Sequence, residues 1–486
     1  MGAAHKNRHA SEHSSDADDC FNSAAHGALE AAKLVLLDFV DYGVSRAQRA
    51  GRCNNSYKPL HRNRDEDMVQ PPMRIRAPLF AAILFVAVNP SLAADIAPQL
   101  RAAAEAERPR VIDTLKTLVA MESGTMDAQG LSQIADHLQG RLEALGARVE
   151  RRSLDGVKGP LLIGRFSGTG KRRLMLIAHM DTIYASGTLA REPIHIDGDR
   201  LYGPGVADSK GGIAVILHSL KILHDAGWND YAQLTVLFNG DEESQSAGSG
   251  AIITALGAEH DVVLSYEPTA AKSVIQAEGV LLSAAGTGTV ELEVKGRSSH
   301  AGAAPQEGRN ALVELAHQVL QTQNITAEIP GAQLNWTQAT SGSVRNQIPD
   351  IATASADLRL TAPDAAERLQ HRLDALAQMR RIPDTDVRYS IRIGRPPFAS
   401  PDGRSLALAK QAKAIYAELE GRPLIFIPGS GAGTDAGYAG LSGKPAVLES
   451  LGLAGWGYHA KNEYVELDSI VPRLYLTARM LVESSR

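Results

Sequence analysis

The sequence predicts an α/β fold, a mixed sheet flanked by helices, with a smaller α+β unit inserted into it. Three observations predict it. Apolar runs that end in His, Asp or Glu alternate with helical segments through the first part of the chain. Near Ala285 the pattern changes to strands alternating apolar and polar residues, in the order β-α-β-β-α-β of a ferredoxin-like sandwich. After Arg395-Pro396-Pro397 the first pattern returns. The α/β pattern therefore reads as one domain, 95–286 and 397–486, interrupted by 287–396. A chain of 486 residues has room for two such units, each with its own core.

The elements follow in order. From Met73 the chain runs MRIRAPLFAAILFVAVNPSLAADIAP. Arg74 and Arg76 precede 12 apolar residues, Ala77 to Val88, too few to span a bilayer comfortably. Pro90, then Ser91 and Ala93, complete a secretory leader over 73–93 with cleavage expected after Ala93. Residues 1–72 read as an over-extended reading frame or a disordered extension, although Ala24 to Val44 is amphipathic. Translation from Met73 and export to the periplasm or medium are therefore expected, without a stable membrane anchor. The segment to Leu145 is helical, with Gly146 as its stop. RVERRSL, LLIGRF and RLMLIAHM are strands, and a helix starts after Gly211-Gly212. AQLTVLFNG and DVVLSYEP are strands around the helix SGAIITALGAEH. In the insert, TGTVELEVKGRS, a strand around Asn335–Gly342, ATASADLRL and VRYSIRIG are strands. GRNALVELAHQVLQTQN and DAAERLQHRLDALAQMR are its helices. The last part has a helix SLALAKQAKAIYAELEG, strands PLIFIPG and AVLES, and a helix from Ser469.

Composition excludes several functions. The net charge of -5 and the lack of a basic stripe exclude a nucleic-acid binder. The only cysteines, Cys20 and Cys53, precede the leader, so a metal site here must use nitrogen and oxygen ligands. Candidates for that chemistry lie at strand ends: His179 and Asp181 in LIAHMD, Asp208 in GPGVADSKGG, Glu242 and Glu243 in GDEES, Glu267 in LSYEP and, far away, His459 in GYHAKNEYV. Two imidazoles and several carboxylates suit two borderline-hard divalent ions, zinc above all, and paired metals serve hydrolysis. Each residue alone has a plainer reading. A lone His on a strand end is more often structural, Asp208 before Ser209 could cap a helix, and an acidic pair often starts one.

Together HMDT, GPGVADSKGG, GDEES, YEPT, SSHAGAAP and GYH resemble the M20 metallopeptidases, in their bacterial glutamate carboxypeptidase branch. The resemblance covers nearly all of 95–486 and implies a zinc-exopeptidase-like fold whose insert is a dimerisation, or lid, domain. It implies that Asp208 bridges two zinc ions, that His179 and Glu267 hold one, and that Glu243 and His459 hold the other. Asp181, two residues from His179 on an extended strand, can orient that imidazole. Glu242 is implied as the general base, taking a proton from a water between the metals and delivering it to the leaving amine. By the same resemblance His300, in SSHAG, acts on the oxyanion in the partner subunit of a homodimer. Asn346 and Arg359 match substrate-binding positions. Arg395 is a second candidate for a substrate carboxylate, or a hinge residue. The small-residue loop Gly431 to Asp435, with Thr434, could bind a carboxylate through backbone N–H groups. No Gly-Lys-Ser/Thr follows it, which excludes a phosphate loop.

The function expected is an exported dizinc exopeptidase, a metallocarboxypeptidase acting on small peptides or N-acyl amino acids and releasing a C-terminal glutamate. The alternatives are an amidase or deacylase of N-acyl amino acids, an aminopeptidase or dipeptidase, and a catalytically silent binding protein on the same fold. The retained Glu242 and five ligand candidates argue against the last.

Overall fold

The computed structural model describes residues 91–486 apart from 400, 401 and 420, with side chains from 97 onward. The leader up to residue 90, and everything before it, lies outside the described residues. The first helix, Ser91–Ala120, already contains the expected cleavage point in its first turn. No described helix is long and apolar enough to cross a membrane.

The central sheet has six strands in the order Arg148–Arg152, Leu161–Ser167, Gln233–Asn239, Arg173–His179, Val262–Ser265 and Ala446–Leu448. The first two pairings are antiparallel and the other three parallel, so the sheet is mixed as expected. Strand alternation splits its side chains between two faces. Leu174, Leu176, Val236, Phe238 and Leu264 pack with the helices Ser91–Ala120, Lys210–Asp225 and Ile470–Ser484 in one core. Met175, Ile177, Leu237 and Val263 pack on the other face with Ile253 and Ala436. Runs buried on both sides are why these strands read as nearly continuous hydrophobic stretches.

A second sheet stands apart with its own core. Its four antiparallel strands run in the order Ala332–Ser341, Ile351–Leu360, Gly286–Lys295 and Asp386–Arg395. The helices Ala311–Gln321 and Ala365–Ala377 pack on one face over Val290, Leu292 and Leu358, the second helix contributing Leu369 and Leu373. Asn310 caps the first of these helices by accepting from the N–H groups of Leu312 and Val313. The opposite face carries Thr289, Glu291, Ser355 and Asp357.

Two expectations need correction. The helix expected after Gly212 begins at Lys210 and includes both glycines. The reason is packing: a Cβ on Gly212 would lie 2.0 Å from the Tyr266 carbonyl oxygen, so only glycine lets this turn rest on that strand end. A small five-stranded sheet built from His195–Asp197, Arg200–Tyr202, Tyr464–Glu466, Ala454–Trp456 and Thr269–Ala270 was not expected. Segments of two or three residues carry too few positions for a period to show.

Candidate metal centre and active site

Parallel neighbours bring their C-terminal ends to one sheet edge, and that edge collects the acids. His179 is the last residue of its strand. Glu242 and Glu243 begin a single 3₁₀ turn just beyond the adjacent strand Gln233–Asn239. Glu267 lies two residues past Ser265, on the neighbour at the other side. Asp208 precedes the helix that starts at Lys210. His459 follows the short strand Ala454–Trp456, with a left-handed backbone of φ 60°.

Five side chains converge into two groups that share Asp208: His179, Asp208 and Glu267, and Asp208, Glu243 and His459. In the first, His179 Nε2 lies 3.0 Å from Asp208 Oδ1 and 3.5 Å from Glu267 Oε2. In the second, His459 Nε2 lies 3.3 Å from Asp208 Oδ2 and 3.1 Å from Glu243 Oε2. The two oxygens of Asp208 thus face different groups. His179 Nδ1–H donates to the carbonyl of Asp181 at 3.0 Å, because a carbonyl can only accept. In the neutral ring this leaves the Nε2 lone pair aimed at the carboxylates, the tautomer a metal needs. The donor set fits divalent cations: three converging carboxylates and two imidazoles, with no thiolate.

Electrostatics points the same way. Burial pushes the Glu267 carboxyl up to about 7, with His179 only partly opposing it. Burial also raises Glu243. Burial opposes a charged His179, yet Glu267, Asp181 and Asp208 outweigh it and hold its pKa well above the ordinary value. Hydrogen bonds to Asp208 and Glu243 raise His459 to about 10. Burial raises Asp208 less than the two imidazoles lower it, so its net shift is downward. Without cations, the imidazolium forms are the countercharge these carboxylates find.

Supporting residues orient the ligands. Asp181, fully buried, accepts from the backbone N–H groups of Glu242 and Glu243, each at 3.2 Å, and from Thr125 Oγ1 at 2.9 Å. It therefore orients the acidic turn as well as His179. Glu463 accepts from the N–H groups of Ala207 and Asp208 at 2.8 and 2.9 Å and from the Tyr184 hydroxyl at 2.7 Å. The sequence reading missed Glu463, since nothing but its nearness to His459 distinguishes it. It also missed Glu449, a buried acid that ends a strand and accepts from Thr434 Oγ1 at 2.9 Å. The strand-end rule that found the other acids would have found this one.

A cavity of about 790 Å³ opens over the cluster, walled by the polar face of the second sheet. Glu242, Arg359, Arg395 and Thr434 line it. Burial raises the Glu242 carboxyl well above the ordinary value, with Arg395 only partly opposing. Arg395 Nη1 lies 2.7 Å from Glu242 Oε1, so this guanidinium meets the acid rather than open cavity. Arg359 Nε donates to Asp357 at 2.9 Å. His300 and Asn346 do not line this cavity. They sit side by side on a two-residue pairing, Ser299–His300 with Gln347–Ile348, where Ala301 N–H donates to the Asn346 carbonyl. Both are exposed. His300 Nδ1 accepts from the N–H groups of Gly302 and Ala303, which leaves the proton on Nε2.

The profile of peptidase family M20/M25/M40 matches residues 175–483. The chain belongs to this family. Carboxypeptidase G2 from Pseudomonas sp. (strain RS-16) is 44% identical over 383 residues, which are 78% of this chain and 91% of that protein. A succinyl-diaminopimelate desuccinylase from Xanthomonas oryzae pv. oryzae is 27% identical over 77% of this chain and 99% of its own. The same fold occurs in aminopeptidase PepT from Bacillus cereus, with a TM-score of 0.63 and 18% identity over 78% of this chain and 99% of that one. It also occurs in an M20 metallo-carboxypeptidase from Sulfolobus solfataricus, with a TM-score of 0.59 and 18% identity over 77% and 99%. The protein is an enzyme, an M20 metallohydrolase related to carboxypeptidase G2.

Proposed function

We propose that this protein is a dizinc carboxypeptidase that hydrolyses the amide bond to a C-terminal amino acid, glutamate by preference. The observation that carries the reading is the pair of ligand groups sharing Asp208, with Glu242 beside them on the cavity wall. His179 and Glu267 would hold one ion, Glu243 and His459 the other, and Asp208 both. Bound there, the ions would supply Lewis acidity for amide hydrolysis. Glu242 accepts a proton from the attacking water and passes it to the leaving nitrogen, which departs as an amine. Asp181 holds both neighbouring glutamates through their backbone. Arg359 and Arg395 are the cations available for substrate carboxylates, and the loop Gly431 to Asp435 borders them.

The reading includes a homodimer in which His300 and Asn346 serve the partner's cavity. Two features support it. Strand Ala332–Ser341 is an outer edge of the second sheet, and Leu312, Val313 and Leu320 on a helix of that unit are exposed. A His300 with its proton directed outward on Nε2 is a ready oxyanion donor. Export with a leader over 73–93 completes the proposal.

The test is release of free amino acid from a panel of N-acyl glutamates, other N-acyl amino acids and dipeptides, with zinc present. N-acetylornithine and N-succinyl-diaminopimelate serve as rival substrates. Release from the rivals alone would sink the carboxypeptidase reading. The dimer has its own test. Co-refolded His300→Ala and Glu242→Gln chains should recover activity, because random pairing leaves about a quarter of the sites with both residues intact. Heterodimers as inactive as their parents would refute action across the interface.

A further inference from the structure

The last strand of the second sheet ends against the acidic turn, and two contacts join them. Arg395 Nη1 lies 2.7 Å from Glu242 Oε1, and Nη2 donates to the Glu242 carbonyl at 2.5 Å. Their side chains are 7% and 8% exposed, so solvent does little to screen the pair. The Tyr438 hydroxyl sits 2.5 Å from the Gly394 carbonyl and 3.1 Å from that of Gln245, bridging the strand end to the far side of the same turn. Gly433 leaves the arginine its path: a Cβ there would lie 2.9 Å from Arg395 Nη1. Arg395 Nε is buried without a hydrogen-bond partner, and each Nη has a second N–H besides the one that meets Glu242.

A carboxylate bound by arginine in the bidentate way takes two parallel N–H donors. Here Glu242 takes one N–H from each Nη, its side chain through Nη1 and its backbone carbonyl through Nη2. One guanidinium balances one carboxylate, so a second carboxylate on Arg395 beside Glu242 would set two negative charges on one buried cation, and moving the Glu242 side chain away relieves that cost. The exchange replaces one buried carboxylate with another, so the guanidinium is never left unpaired.

We propose that Arg395 is a positioning residue that holds Glu242 before substrate binds and exchanges it for the substrate's α-carboxylate, freeing the base only when an acidic C-terminus is in place. The proposal rests on Glu242 as base and on a C-terminal amino acid as leaving group. It makes carboxylate recognition and base release one event, and ties both to the end of the second sheet.

The test compares wild type, Arg395→Gln and Arg395→Lys on an N-acyl glutamate and on its α-carboxamide. In wild type the carboxamide should be slow in kcat and not only in KM, because the contact stays closed. Arg395→Gln should raise KM for the acid about tenfold or more, yet raise kcat on the carboxamide at least about threefold above wild type, so that the two kcat values converge. Arg395→Lys, which keeps the charge but not the fork, should fall between. A carboxamide kcat in Arg395→Gln equal to or below that of wild type overturns the exchange alone, provided wild type cleaves the acid. A wild type inactive on both substrates overturns the activity reading and the exchange with it. Should Arg395→Gln fail to fold, a crystal structure of wild type with free glutamate decides. The exchange requires Arg395 on the α-carboxylate and more than about 4 Å from the Glu242 carboxylate, the usual ion-pair limit. An intact Arg395–Glu242 contact in that complex overturns it.

Discussion

The two sides of Asp208 are built differently. On one side His179 is 1% exposed and Glu267 18%, and the imidazole is locked through Nδ1 to the Asp181 carbonyl. On the other, Glu243 is 7% exposed but His459 is 53% exposed. His459 also rides on a left-handed backbone, a conformation that costs a non-glycine residue about 1–2 kcal/mol. The sealed side is made at strand ends of the central sheet. The open side depends on a loop ligand that arrives from more than two hundred residues along the chain. Equal ligand types therefore need not give equal sites: the sealed half is shielded from solvent, and the open half rests on an exposed loop ligand.

The largest effect should come from removing what the two sides share. Asp208→Ala is expected to reduce bound metal from about two equivalents to near none, and turnover by roughly four powers of ten, the scale of several kcal/mol of transition-state stabilisation. Elemental analysis and a release assay read both, and one tightly retained equivalent would show that the sides are independent. Glu242→Gln touches neither side. It should lower kcat by about a hundred- to ten-thousand-fold with metal content unchanged. Loss of metal from this variant would mean that Glu242 is a ligand and the division of labour is wrong.

The asymmetry itself is tested by single ligands. Chelator titration should remove the ion beside His459 first, and His459→Ala should keep about one equivalent. His179→Ala should cost metal-free stability by about 3 kcal/mol more than His459→Ala, since it leaves buried carboxylates facing one another without a countercharge. Release of both ions in one step, or equal stability losses, would erase the distinction.

The smallest effect concerns pH. Burial raises both Glu267 and Glu463 to about 7 in the metal-free fold. A carboxyl whose folded pKa is raised contributes stability that is present below its unfolded value near 4.5 and lost as pH rises through the folded value. His459, raised to about 10 from 6.5, adds loss in the same direction above pH 6.5. Chelated protein should therefore melt at a lower temperature at pH 8 than at pH 5.5, and a divalent cation should flatten the difference. A metal-free Tm that rises over this interval would contradict the assignment of these acids as strained by burial.

What was legible in the sequence depended on how local the cause is. The inner strands of the central sheet were visible because burial on both faces writes uninterrupted apolar runs, as in RLMLIAHM. Their ends were visible because acids and imidazoles there break the run. The small sheet around Tyr464 and Leu201 was not visible, because its strands are shorter than any period. Glu463 was not visible either, because its task is to accept from the backbone of Ala207 and Asp208, and that depends on chain approach rather than on residue pattern.

The sequence by itself determined the α/β class, the second sheet with its β-α-β-β-α-β order, and the four side chains that meet at Asp208. Each follows from periodicity, from strand-end chemistry or from motif order. Only the tertiary structure decided that one side of Asp208 is sealed and the other open. It alone put both Arg395 Nη groups on Glu242, and it alone left His300 and Asn346 outside the cavity that their motifs suggested. Those are relations between segments 40 to more than 200 residues apart. Their geometry is set by how the sheets pack, which no local pattern in the chain records.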